Sequence, residues 1–229
     1  MTETERIARA YRELEATAGS RYDLHNKGNQ MVLAERRRLA KKLLEGAGWA
    51  PLGDRRVLEV GCGTGTELAW LLELGASPSR LAGVDLLPDR VAAARAAFPQ
   101  LEFHQGNAEH LDFADASMDL VMAFTVFSSI LDGSMASNVA AEIERVIRPG
   151  GALLWYDFRY DNPANHNVRG VSARRVRSLF PRLQGKLHSL TVLPPLVRRL
   201  GHLAPAAYPV LAIAPPLRSH LFGLLRKPA

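Results

Sequence analysis

The chain has 229 residues, 47% hydrophobic and 23% charged, with a formal net charge of +6. That excludes a disordered chain and fits one globular body with a sizeable core. A single cysteine, Cys62, excludes an intramolecular disulfide and points to a reducing, cytoplasmic setting.

The charged N-terminal stretch TETERIARAYRELEATAG has the spacing of an amphipathic helix ending at Gly19, and it lacks the apolar run of a signal peptide. SRYDLHNKGN reads as a polar turn, and QMVLAERRRLAKKLLEGAG returns to helical spacing. We expect residues 1–50 to form a helical arm or lid and residues 51–229 to form the main domain. From there β-rich runs alternate with helical ones. RVLEVG, LAGVDL, LEFHQG, MDLVMAFTV and GALLWYDF are expected strands; TELAWLLELG, PDRVAAARAAF and MASNVAAEIERVIRPGG are the helices between them. Beyond them SARRVRSLF is an expected helix capped by Ser172, and GKLHSLTVL and RSHLFGLLRK are two further strands. The predicted fold is α/β: a Rossmann-like, doubly wound, mostly parallel seven-stranded sheet with helices on both faces and an N-terminal helical lid.

In VLEVGCGTG, Gly61, Gly63 and Gly65 follow the first strand, where open parallel sheets bind ligands. Asp85 closes the second strand, at the spacing of a ribose-binding acid. The order differs from the dinucleotide fingerprint G-x-G-x-x-G, because Thr66 stands where its third glycine belongs. Glu59 lies two residues before the turn. A carboxylate there repels a pyrophosphate and suits a cationic, phosphate-free ligand; its alternative role is to accept hydrogen bonds from N–H groups of the turn.

VLEVGCGTG resembles the first motif of class I S-adenosylmethionine-dependent methyltransferases. GVDLLPDRVAAAR, FHQGNAEHLDFADASMDLVMA and EIERVIRPGGALLWYD continue that resemblance in register, over roughly residues 55–158. It implies S-adenosyl-L-methionine as cofactor. It also implies that Glu59, Gly61, Cys62, Gly63 and Gly65 adjoin the methionine part, with Asp85 on the ribose and Leu86, Asn107, Ala108 and Glu109 about the adenine. Phe124 would lie nearby. Where the family carries Asp, this chain has Asn107. No metal is implied.

The segment after the fifth strand, WYDFRYDNPANHNVRG, concentrates polar groups at the expected pocket mouth. Asp157 and His166 are candidate bases there, and Arg159, Tyr160 and Asn162 candidate substrate contacts. From the N-terminal arm, His25 is a third catalytic candidate and Tyr22 a cofactor contact. The whole pattern resembles bacterial methyltransferases associated with glycan or natural-product pathways, which implies O-methylation of a small-molecule acceptor such as a sugar or secondary metabolite.

Charge is unevenly distributed. Residues 162–229 hold 11 of the 29 Lys and Arg and none of the 23 Asp and Glu. This basic tail suits a phosphorylated or lipid-linked acceptor, or peripheral contact with an anionic inner leaflet. RNA methylation is an alternative, disfavoured by the tail's three scattered aromatics, Phe180, Tyr208 and Phe222. A non-catalytic cofactor-binding scaffold is another. The prolines of LGHLAPAAYPVLAIAPPL argue against a transmembrane helix.

Overall fold

A computed structural model describes residues 1–19, 23–163 and 165–229. Two helices come first, α1 (Glu3–Ala18) and α2 (Lys27–Gly46). Thr2 and Glu5 form a reciprocal capping box at the start of α1. Helix α2 begins inside the stretch read as a turn. The Asn26 side chain accepts from the N–H groups of Gly28 and Asn29, so KGN is helical.

The strands are β1 (Val57–Val60), β2 (Leu81–Asp85), β3 (Glu102–Gln105), β4 (Met118–Phe124), β5 (Ile147–Phe158), β6 (His188–Val192) and β7 (Arg218–Arg226). Between them run α3 (Thr66–Trp70), α4 (Pro88–Ala97), α5 (Gly133–Val146), α6 (Ala173–Leu179), α7 (Pro194–Arg199) and α8 (Ala204–Leu211). Ser172 caps α6 by accepting from Arg175. The proline-rich stretch is largely helical: Pro194, Pro195 and Pro205 lie in first turns, where no amide hydrogen is needed, and Pro209 alone lies inside α8.

One seven-stranded sheet results, in the order β3-β2-β1-β4-β5-β7-β6. Strands β1 to β5 run parallel, whereas β7 is antiparallel to both β5 and β6, so the sheet is mixed. The chain moves outward from β1 to β3 and then returns to β4 on the other side of β1. The topological switch, and hence the ligand crevice, lies beyond the carboxyl ends of β1 and β4.

Helices cover both faces. Ile7 of α1 and the buried residues of α5 and α6 pack on one face; those of α2, α3 and α4 pack on the other. Central strands are buried on both faces, which is why LVMAF reads as an unbroken apolar run and VLEV is interrupted only by Glu59. Helix α2 buries Ala40 and Leu44 completely and packs on the second face, while α1 meets the turn after β4 through Glu3, Arg6 and Tyr11. A smaller cluster of Val192, Val197 and Tyr208 holds α7 and α8 against Met31 and Val32 of α2.

Candidate active site

The glycine turn is pinned from below and from the side. Gly61 and Cys62 donate their N–H groups to the Val84 carbonyl, at 2.7 and 3.1 Å. The Asp85 carboxylate accepts from Gly63 N–H at 2.8 Å and from Leu87 N–H at 2.9 Å. One side chain thus ties together the turns after β1 and β2, at the mouth of the crevice. Cys62 is buried among carboxylates. Burial, then the charges of Glu59 and Asp85, push its thiol pKa far up, which disfavours the thiolate.

Glu59 is 2% exposed. It accepts from the N–H of Leu68, in the first turn of α3, whose own N-cap is Gly65 and has no side chain to offer. Burial, then the charge of Glu67, hold its pKa well above the usual carboxylate range, against the pull of Arg36. Its Oε2 has no hydrogen-bond partner. Arg36 pairs with Glu67 at 2.7 Å and lies over the rings of Phe124 and Tyr156, 5.2 and 5.0 Å from their centroids. Arg37 lies over Trp70. Arg36 Nε, Arg37 Nε and Glu67 Oε2 are likewise buried without partners. Behind the glycine turn is therefore a buried set of unsatisfied groups of both signs.

Helix α1 packs on the turn after β4. Glu3 accepts from the N–H groups of Leu131 and Asp132, and Arg6 donates to the Ser129 carbonyl. Tyr11 bonds through its hydroxyl to Ser129 Oγ at 2.9 Å, and Arg90 of α4 lies 4.3 Å from the centre of its ring. Arg90 also pairs with Glu15 at 2.8 Å. Burial raises the Tyr11 pKa, and the charges of Asp85 and Asp157 add to the rise. Sequence reasoning missed Tyr11. Its signal was an aromatic four residues after Ile7, on the apolar stripe of an otherwise charged helix.

The other candidates divide. Asn107 spends both ends of its amide on Glu109, and Glu109 also accepts from Asn138 of α5; together they brace the turn after β3. Leu86 and Ala108 are half-buried against the core. Phe124 is 7% exposed and packs edge-on against Tyr156. Tyr22 lies outside the described residues. His25 is exposed in the turn before α2 and bonded to Asp23, and His166 is exposed; among the described residues neither is bonded to the glycine turn or to Asp85. The Arg159 guanidinium stacks on the exposed Tyr160 ring, and Asn162 is exposed. Several polar groups of the loop after β5 serve its own backbone: Asp161 accepts from Gly170 and Asn165 from Asn167.

Asp157, at the end of β5, is 1% exposed. Its oxygens accept from the N–H groups of Ser128 and Phe158, at 3.0 and 2.8 Å, which fixes the turn after β4. Burial pushes its pKa from 3.8 up to about 6, against the pull of these donors. A raised acid binds more protons folded than unfolded, so its contribution to stability is complete at low pH and is lost as pH rises from 3.8 to about 6. The loss is about 3 kcal/mol at neutral pH. Urea titrations of the parent and Asp157→Asn across this window should show the parent losing that much relative to the variant. Parallel stability curves would contradict the assignment.

Residues 58–155 match a family model described as a methyltransferase domain. The chain is 36% identical over 133 residues to a phthiotriol/phenolphthiotriol dimycocerosates methyltransferase of Mycobacterium ulcerans, covering 57% of this chain and 48% of the relative. It is 34% identical over 165 residues to a fatty-acid O-methyltransferase of Mycolicibacterium smegmatis, covering 68% and 58%. It therefore spans only about half the length of these curated relatives. A crystal structure of an S-adenosylmethionine-dependent methyltransferase from Mesorhizobium loti superimposes with a TM-score of 0.61, at 18% identity, over 80% of this chain and 95% of that one, and so shares the fold.

Proposed function

Because residues 58–155 belong to the class I S-adenosylmethionine-dependent methyltransferases, with S-adenosylmethionine as the methyl donor, we propose that this chain methylates an oxygen of an apolar, lipid-like small molecule. The donor supplies a methyl group activated on a sulfonium. The carrying observation is the set of unsatisfied buried atoms behind the glycine turn: Glu59 Oε2, Glu67 Oε2, Arg36 Nε and Arg37 Nε. Carboxylates and guanidiniums side by side fit the ammonium and carboxylate of an amino acid, and the two acids disfavour a pyrophosphate.

In this reading Gly61, Gly63 and Gly65 let the main chain approach the donor, and Asp85 accepts from the ribose hydroxyls with the lone pairs its backbone bonds leave free. Leu86 and Ala108 flank the adenine. Helix α1, with Tyr11, excludes water from the crevice, which aligns the reactants and protects the transfer. We assign Asp157 to positioning, since both oxygens hold the turn at Ser128 and Phe158. A fatty-acid carboxylate needs no base to act as a nucleophile.

The lipid-like acceptor is supported by the fatty-acid O-methyltransferase relative and by a polar loop whose groups bond inward. The glycan expected from that loop is the natural competitor. Incubation with methyl-labelled donor and, separately, a long-chain fatty acid, a long-chain alcohol and a sugar nucleotide should place label in the organic extract of the first or second. Label on the sugar nucleotide alone, or on none while S-adenosylhomocysteine still raises the melting temperature, would overturn the acceptor class and leave the cofactor reading standing.

A further inference from the structure

The connection from β6 to β7 presents an apolar face outward, and we propose that it docks onto an anionic lipid bilayer. Strand β7 pairs Val192 with its Arg218 and Phe158 with its His220, so the connection leaves and re-enters the sheet beside the carboxyl end of β5. That is also the end where β1 and β4 present the glycine turn and the crevice.

The connection carries α7 and α8. On its inner side Tyr208 donates to Glu35 and packs with Val192 and Val197. On its outer side Leu203, Val210 and Ile213 are 69%, 66% and 74% exposed. With Ala206, also exposed, they are spaced by three, four and three residues: Ala206 and Val210 lie on α8, Leu203 in the 3-10 turn before it and Ile213 in the turn after it. A helix facing water normally turns a polar stripe outward, and here the pattern is inverted. From Leu200 to Leu217 the sequence contains no Asp, Glu, Lys or Arg. Across the described residues only three other large hydrophobic side chains are exposed, Met1, Leu24 and Tyr160.

Charge selects the occupant. Exposed Arg199 and His202 border the stripe, Arg218 donates to the Ala212 carbonyl just beyond α8, and the connection itself holds no carboxylate. An exposed apolar stripe bordered by basic side chains is the chemistry that seats a helix at an anionic interface, with aliphatic side chains among the acyl chains and cations at the headgroups. No helix of the described residues is long and apolar enough to cross a membrane, so the contact is one of surface docking. It brings the crevice end of the sheet to the bilayer. The binding itself requires no methyl transfer and is measured without it.

Sedimentation with phosphatidylcholine vesicles, with and without about one third phosphatidylglycerol, tests the proposal. The protein should pellet with the anionic vesicles about tenfold more strongly than with the neutral ones, and less as salt rises. Joint replacement Leu203→Ser, Val210→Ser and Ile213→Ser should weaken that binding about tenfold or more, with an unchanged melting temperature because all three side chains are exposed. Leu203→Trp supplies a reporter that leaves the fold alone, and its emission should shift to the blue on anionic vesicles. No pelleting at low salt, or equal pelleting by the triple variant, would overturn the proposal. A blue shift that appears on concentrating the protein without lipid, with no pelleting, would assign the face to a second copy of the chain and equally overturn it.

Discussion

Replacing Asp85 with alanine is expected to weaken S-adenosylhomocysteine binding about 100-fold while the protein remains folded. The carboxylate has two tasks. It accepts from Gly63 and Leu87, which holds the turns after β1 and β2 at one spacing. In the proposed site its remaining lone pairs would accept from the two adjacent hydroxyls of a ribose. Hydrogen bonds to a charged acceptor are worth roughly 1.5–3 kcal/mol each, and a hundredfold loss corresponds to about 2.7 kcal/mol. Releasing two backbone N–H groups costs a further ~2 kcal/mol of stability, within reach of a folded domain. Asp85→Asn separates the tasks: its amide oxygen still accepts from one turn, but the negative charge is gone. Calorimetry should rank the parent above Asp85→Asn and Asp85→Ala last. Parental affinity in Asp85→Ala would mean that the ribose lies elsewhere.

The parts of this molecule legible in the sequence are those fixed by short-range chemistry. Apolar runs such as LVMAF mark strands buried on both faces, and glycines after the first strand mark the crevice. The antiparallel edge strands β6 and β7 could be recognised as strands, but their direction depends on a 25-residue connection whose helicity its prolines disguised. Asn26 hid the start of α2, because one side-chain cap turned an apparent loop into a first helical turn. Glu59 was legible as anomalous. That it caps α3 depends on Gly65 leaving that helix without a side-chain cap, a fact of three dimensions. Tyr11 was the hardest to see. It meets Ser129, 118 positions away, and no spacing rule connects them. Pairings of that range arise from packing and carry no local signature.

The two glycines at 63 and 65 should fail in different ways when each is changed to alanine. Both have positive φ, +53° and +79°, so an alanine at either costs about 1 kcal/mol in backbone strain. Their surroundings separate them. At Gly65 a Cβ would stand 2.6 Å from Cζ and 2.9 Å from Cε1 of Phe103, and 3.2 Å from Phe98. Phe103 is 3% exposed and cannot withdraw without disturbing Leu101 and Ala94 of the same buried cluster. Overpacking of this kind adds about 1–3 kcal/mol. Gly65→Ala should therefore lower the melting temperature by about 10 °C, at the 2–4 °C per kcal/mol of a chain this size. At Gly63 the nearest atom to a Cβ is Arg90 Nη1, at 4.0 Å, so Gly63→Ala should cost only about 3 °C. That open space is where the donor must approach the main chain, and a methyl group there should weaken S-adenosylhomocysteine binding at least about tenfold. Thermal melts and calorimetry on the two variants distinguish a glycine kept for packing from one kept for the ligand. If Gly63→Ala binds like the parent, the donor does not pass over the turn, and the assignment of the glycine turn as its cradle is lost.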